Sequence, residues 1–377
     1  MALRALARVN LAAIERNVGR LRSSLRGRAE LCAVVKADGY GHGAAPAARA
    51  ALAGGAAWLA VATADEAAEL RAAGIGQPIL VMGALSAEEV STAIAAGGEL
   101  AAWDRRFVER LAAAASGRES PVRVHVKLDT GMGRLGTRDR ADALEVAELV
   151  ARSGPSLELA GAMTHFATAD DDPEFLELQL HEFEPFAAQL RARFPGLVVH
   201  AANSAATLRS AASHFDLVRC GIAIYGCDPM HEDPSERGLE PALALSSYVA
   251  ALKPARRGDS VGYGRRFIAE RDTWIGTLPI GYGDGVRRGL TNNCDVLVRG
   301  RRYPLVGTVS MDNITVDLGP EPVAEPGDEA LLIGSDGGER QTAEQLARRV
   351  GTINYEIVCG ISARVPRSYH RDGEPVA

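Results

Sequence analysis

Between Leu31 and Gly226 the chain alternates eight times between a short apolar run and a longer stretch rich in Ala, Leu and Glu. The runs are LCAVVK, WLAVA, PILVMG, ELAAW, VRVHVKLD, LELAGAMTH, LVVHAAN and FDLVRCGIAIYG. They predict strands ending near Lys36, Ala62, Met82, Trp103, Lys127, His165, Ala202 and Arg219. Short, almost unbroken apolar runs suit strands buried on both faces. The stretches between them predict helices over Ala44–Ala53, Ala64–Ala73, Ala87–Ala96, Asp104–Ala115, Arg140–Arg152, Pro173–Arg193 and, more briefly, Ser204–Ser210. Eight such units predict a (β/α)8 TIM-type barrel over roughly residues 10–240. A doubly wound open sheet is the rival architecture.

After Pro241 the pattern changes. ALALSSYVAAL, DTWIGTLPI, CDVLVRG, RYPLVGTVS, NITVDLG and EALLIG are β-rich and separated by Gly, Pro and Asp turns, with one helix expected at Thr342–Val350. Residues 241–377 therefore read as a mostly β C-terminal domain, after a barrel domain over 1–240. The opening LARVNL is β-like, so residues 1–9 are expected to pair with the β domain.

The 377 residues give room for one large core and a smaller second unit. A net charge of −6 argues against nucleic acid as a partner. No apolar run approaches the roughly 20 residues of a membrane span, and MALRALARVNLAAIERN lacks the continuous apolar core of a secretory signal. The five cysteines form no CxxC pair and are odd in number. They read as reduced and mostly buried, which points to the cytoplasm. No metal-ligand set is assigned.

Basic residues are arginine almost throughout: 39 arginines stand against three lysines, Lys36, Lys127 and Lys253. An ε-amine can lose its proton and form a Schiff base or a carbamate, which a guanidinium cannot. Lys253, in LKPARRGD, reads as a solvated loop residue. Lys36 ends the first strand and opens the tight turn ADGYGHG, whereas Lys127 lies near the end of the fifth. Barrel enzymes place their chemistry where strands end. His165 and Arg219 come to the same rim, so four capable side chains converge. Between the seventh and eighth strands, NSAAT offers Ser204 and the free N–H groups of a short helix to an anion, and Gly221 in CGIAIYG lets backbone approach closely. A strand-end amine facing a phosphate cup is the layout pyridoxal 5'-phosphate (PLP) requires.

With these residues in view, AVVKADGYGHG resembles the lysine motif of the bacterial alanine racemases, which are fold-type III PLP enzymes. The likeness continues through VKLDTGMGRLG, MTHFATAD, NSAAT, VRCGIAIYG, VGYGRRF, LPIGYGDGVRR, GTVSMDNITVD and INYEIVCGISARVPR. The resemblance implies a barrel followed by a β domain, and a homodimer with shared active sites that interconverts L- and D-alanine and supplies D-alanine for peptidoglycan. It implies that Lys36 bonds the PLP aldehyde and acts as one base, with Tyr263 of the partner subunit as the other. Arg219 would face the pyridine nitrogen. Tyr40, Asn203, Ser204, Gly221, Ile222 and Tyr355 would belong to the cofactor site, most of them around the phosphate. His165 would lie near Arg219. Arg134 would meet the cofactor's phenolic oxygen and the substrate carboxylate, held by a carbamylated Lys127. Met311 and Asp312 would contact the carboxylate region, and Tyr282, Asp170 and Arg288 would line the access corridor.

The residue types suit that chemistry. Racemisation removes the Cα proton from one face and returns it to the other, which two opposed bases do simply. Lysine and tyrosine both start with high pKa values and need tuning by burial and charge. Asn10, Ser310 and the pair Val286–Arg287 depart from the family's usual residues, and only the last pair touches the corridor. The same scaffold also serves racemases of serine or broader specificity. Arg219 argues against fold-type III decarboxylases, and residues 241–377 argue against single-barrel PLP carriers.

Overall fold

The computed structural model describes residues 3–376, which form two compact units. The first strand, β1 (Leu6–Asn10), belongs to the second unit. The first unit comprises residues 14–39 and 44–224. Its strands are β2 (Glu30–Val34), β3 (Trp58–Val61), β4 (Ile79–Val81), β5 (Glu99–Ala102), β6 (Val122–Lys127), β7 (Leu157–Met163), β8 (Val198–His200) and β9 (Leu217–Cys220). All pair in parallel in the order β8-β7-β6-β5-β4-β3-β2-β9. Between β8 and β9 the seam is bridged by Asp216 N–H to the Val199 carbonyl at 3.0 Å and Arg219 N–H to the Ala202 carbonyl at 2.9 Å. The sheet is thus a nearly closed barrel, and the open-sheet alternative falls. β3, β4 and β5 are buried along their whole length, as strands covered on both faces must be.

Helices alternate with these strands at Ala44–Ala53, Ala64–Ala72, Ala87–Ala95, Arg105–Ala114, Arg140–Arg152, Pro173–Arg193 and Ser204–Arg209. Their starts are set locally. Thr63 with Glu66, and Ser86 with Glu89, form reciprocal capping boxes, and Asp104, Asp139 and Asp172 cap the next helices through side-chain oxygens.

The second unit comprises residues 3–13, 40–43 and 225–376. In its main sheet β1 runs antiparallel to β10 (Leu243–Tyr248) and parallel to Arg367–Arg371. A three-stranded sheet orders Ala251–Ala255, Thr273–Leu278 and Ile314–Asp317. A short hairpin pairs Ser260–Val261 with Phe267–Ile268. Its base is anchored by Val261 and Phe267, which pack against Ala255, Ala269, Ile275 and Val306.

The sequence left the turn after Lys36 as a generic tight turn. It is a left-handed one: Ala37, Asp38, Gly39 and Tyr40 all have φ between 51° and 60°. Each non-glycine residue there costs about 1–2 kcal/mol. The turn is held by specific bonds. Gly39 N–H donates to the Val35 carbonyl, Asp38 Oδ1 accepts from Ala44 N–H at 2.9 Å, and Glu66 Oε1 accepts from Ala37 N–H at 2.7 Å. Glu66 Oε2 meanwhile accepts from Ala62 and Thr63 N–H. Both carboxylate oxygens are therefore in use, and an amide can replace only one of them. Glu66→Gln is expected to lower stability by about 1–2 kcal/mol and to speed hydrogen exchange at Ala37 and Gly39. Unchanged exchange at those two amides would show that other contacts hold the turn.

Candidate active site

The barrel unit gathers its candidates where its strands end. Lys36 follows β2 after Val35 and is half-buried. Lys127 is the last residue of β6 and only 3% exposed. His165 lies two residues beyond β7 and is half-buried, and Arg219 sits within β9, 2% exposed. The strand before Lys36 stops at Val34, earlier than the sequence suggests, and the left-handed turn begins at Ala37.

Arg219 organises this group. Its Nη1 donates to His200 Nδ1 at 2.7 Å. Its Nη2 lies 2.8 Å from the Thr164 carbonyl, 2.9 Å from the Ala201 carbonyl and 3.3 Å from His165 Nδ1. Its Nε–H, although buried, has no acceptor. Burial pushes the guanidinium down to about 10, which leaves it cationic at neutral pH. Burial, then Arg219, Lys127, Arg134 and Lys36, holds His165 well below the usual imidazole range, so it is neutral and accepts at Nδ1. Lys127 is lowered to about 8, first by burial and then by Arg219 and Arg134, with Asp129 opposing. Arg134 is itself exposed, on the Gly-rich loop that Asp129 ties down by accepting from Gly131 and Gly133 N–H.

The expected anion cup has a different internal logic from a helix cap formed by Ser204. Asn203 is the cap, its Oδ1 accepting from Ala206 N–H at 3.0 Å. Ser204 Oγ instead accepts from Gly221 N–H at 2.9 Å and Ala223 N–H at 3.5 Å, which leaves its own proton to give. Ile222 is fully buried beside them. Asp170 is half-buried in the same unit.

The second unit brings together two further sets. Tyr40 lies with Tyr225 and Tyr355, at ring centroid distances of 5.2 and 6.0 Å. Tyr263 stands at the tip of the short hairpin and is 75% exposed, with its carbonyl accepting from Thr308 Oγ1 at 2.7 Å. The Tyr282 loop is laced to Met311: Tyr282 N–H donates to the Ser310 carbonyl and Gly283 N–H to the Met311 carbonyl, both at 2.9 Å. A Cβ on Gly281 would come within 2.5 Å of the Met311 carbonyl oxygen, so this approach requires glycine. Arg364 bonds Asp312 at 2.6 Å and the fully buried Asp284 at 3.0 Å. Tyr263, Met311 and Tyr282 are among the most exposed large apolar side chains. Arg288 is exposed.

Sequence reasoning passed over Glu66, Arg364, Glu99, His125 and His200. For His125 a signal existed: it lies two residues before Lys127 on β6 and so shares its face.

Comparison with known proteins places this geometry. The family models for the alanine racemase N-terminal and C-terminal domains match residues 9–229 and 242–369. The chain is 40% identical to alanine racemase 1 of Bacillus subtilis over 97% of its own length and 93% of that protein's. It is 43% identical to the alanine racemase of Frankia casuarinae, over 97% and 96%. Among solved structures, the alanine racemase of the D-cycloserine producer Streptomyces lavendulae superposes with a TM-score of 0.93 at 39% identity, over 98% of both chains. That of Bacillus anthracis with bound L-Ala-P gives 0.91 at 38%, over 100% and 97%. Likeness of this extent, running through both the barrel and the β domain, means that the chain belongs to the alanine racemase family.

Proposed function

We propose that the protein is a PLP-dependent racemase that interconverts L-alanine and D-alanine as a homodimer and supplies D-alanine for peptidoglycan. The observation that carries this reading is the buried Arg219 Nε–H without an acceptor, on the rim that also bears Lys36. An unprotonated pyridine nitrogen is an acceptor of the kind that Nε–H lacks. The Ser204 hydroxyl, which accepts backbone N–H, is free to donate to a phosphate oxygen. PLP supplies an aldehyde that an amine can bond and a ring that draws electrons from the substrate Cα.

On this reading Lys36 would hold PLP through its aldehyde in the resting enzyme; once the substrate amine takes that place, the released Nζ would exchange the Cα proton on one face. The partner subunit's Tyr263 exchanges it through Oη on the other face. The 75% exposure of Tyr263, and that of Met311 at 52%, suits groups that complete a neighbour's site. Arg219 stays charged and would keep a ring nitrogen as the acceptor of its Nε–H, while neutral His165 buttresses it. Asn203 shapes the cup around Ser204, where Gly221 and Ile222 would line the phosphate, and the resemblance assigns Tyr40 and Tyr355 to the same phosphate. Arg134 orients the substrate carboxylate, as do the partner's Met311 and the partner's Asp312. Tyr282 lines the access corridor. The buried cysteines Cys32, Cys220, Cys227 and Cys294, which form no disulfide, suit a reducing cytoplasm.

Lys127 fits carbamylation because a pKa near 8 leaves unprotonated amine at neutral pH. That amine adds to the carbon of CO2 and loses a proton to solvent, giving an N-carboxylate beside the cations of Arg219 and Arg134. A 13C-bicarbonate carbamate resonance is expected in the wild type and not in Lys127→Met; its absence from the wild type would remove this role. In CO2-free buffer the sign of the pH effect follows from the lowered pKa. Between about 8 and 10.5 the unfolded chain holds a proton that the folded chain does not. Stability from Lys127 therefore rises with pH across that window. Lys127→Met should be more stable than wild type at pH 7.5, by a margin that shrinks at pH 10. A constant margin in urea denaturation would contradict the lowered pKa.

The direct test is incubation with L-alanine and PLP in deuterated water, following D-alanine and its α-deuterium by chiral separation and mass detection. Deuterated D-alanine is expected; bound cofactor without D-alanine would overturn the assignment. Tyr263→Phe should retain the absorbance of bound cofactor while slowing α-proton exchange from one enantiomer by about 10²–10⁴-fold. Equal slowing for both enantiomers would count against a one-face base.

A further inference from the structure

Arg219 also heads a buried chain of side chains that the chemistry above does not use. His200 Nδ1 meets Arg219 Nη1 at 2.7 Å, His200 Nε2 meets His125 Nδ1 at 2.8 Å, and His125 Nε2 meets Glu99 Oε2 at 2.9 Å. Both histidines are fully buried, and Glu99 is 5% exposed. A guanidinium has donors only, so the direction of each bond follows from the first. His200 accepts at Nδ1 and must carry its proton on Nε2. It therefore donates to His125 Nδ1, and His125 in turn donates from Nε2 to the Glu99 carboxylate. Every nitrogen in the line has one role, and the line begins on a cation and ends on an anion.

The barrel is built to let these groups touch. His125 is on β6 and His200 on β8, so β7 lies between them. The residue paired with His125 across that strand is Gly161, which is in turn paired with Val198. A Cβ on Gly161 would come within 2.2 Å of His125 Nδ1. The missing side chain is thus the gap through which the two rings meet. Trp58 closes the other side of His125, edge to face at 5.9 Å. Arg123, half-exposed at 3.4 Å, is the outer partner of Glu99.

We propose that Glu99 is a positioning residue for Arg219, acting through His125 and His200. The carboxylate ends the line, fixes both imidazoles as neutral Nε2–H tautomers, and holds the guanidinium in the single orientation that leaves its Nε–H available. Burial and the charge of Arg219 also keep His200 well below the usual imidazole range, in keeping with a neutral ring. The consequence for the reaction rests on the PLP reading above; the relay itself does not.

The test is NMR of the full-length protein with 15N-labelled histidine rings, with and without added PLP. Bare Nδ1 and protonated Nε2 are expected at both His125 and His200 in either state. A proton on either Nδ1, or a doubly protonated ring, would overturn the assignment. Glu99→Gln keeps an acceptor carbonyl and removes the charge, so the tautomers should persist in a weakened chain. The Nε2–H protons of His125 and His200 should both move upfield, His125 further. Movement of His125 alone would mean that nothing is transmitted. With PLP bound, Glu99→Gln should lower kcat by about tenfold at unchanged KM, the order that loss of an outer hydrogen-bond partner costs at metal sites; an unchanged kcat would overturn the positioning role. If Glu99→Gln does not fold, the wild-type tautomers still decide the direction of the chain. Failure of the wild type to bind PLP would sink the proposed function and leave the relay standing.

Discussion

A cation taken out of water in the barrel interior must be surrounded by acceptors, and Arg219 imposes that requirement on the unit around it. Two backbone carbonyls, Thr164 and Ala201, turn inward to meet it, and two imidazoles present bare nitrogens to it. Its field lowers the pKa values of Lys127, His165 and His200. Beside this cation the imidazoles are held neutral and the Lys127 amine is brought closer to neutrality, the state in which a nitrogen can accept a proton or form a covalent bond.

Much of the fold was legible because its signals are local. The eight strands and their helices follow from apolar runs, capping residues and turn chemistry, and the helices Arg140–Arg152 and Pro173–Arg193 begin and end where their sequence pattern does. What escaped depends on partners distant in the chain. Arg367–Arg371 is polar and charged, and it is a strand because β1 lies beside it. Ala251–Ala255 contains Pro254, which argues against a strand until its pairing with Thr273–Leu278 is seen. Asn354–Cys359 is too short for a helical period to declare itself.

The site divides in the same way. Lys36, Lys127, His165 and Arg219 could be named because chemistry in barrels collects where strands end. His125, His200 and Glu99 could not, since a polar residue inside an apolar run reads as an isolated core residue until its neighbours on other strands are known. Gly161 is instructive: its φ is not positive, so no turn rule flags it, and its need for glycine comes from the ring packed against it. Tyr263 shows the opposite limit. Nothing in its hairpin distinguishes it from a surface residue, and its exposure is informative only beside the motif that carries it.

The left-handed run after Lys36 bears on how that lysine moves. A glycine-rich turn would let the backbone swing, but three of the four residues here carry a Cβ, which confines each to a small region of conformational space. Bonds from Asp38 and Glu66 pin the turn to the helices beginning at Ala44 and Ala64. The Lys36 Cα thus behaves as a fixed pivot. In the chemistry proposed for it, any travel of the amine comes from the torsions of its own four-carbon stem, and the length of that stem sets its radius of action.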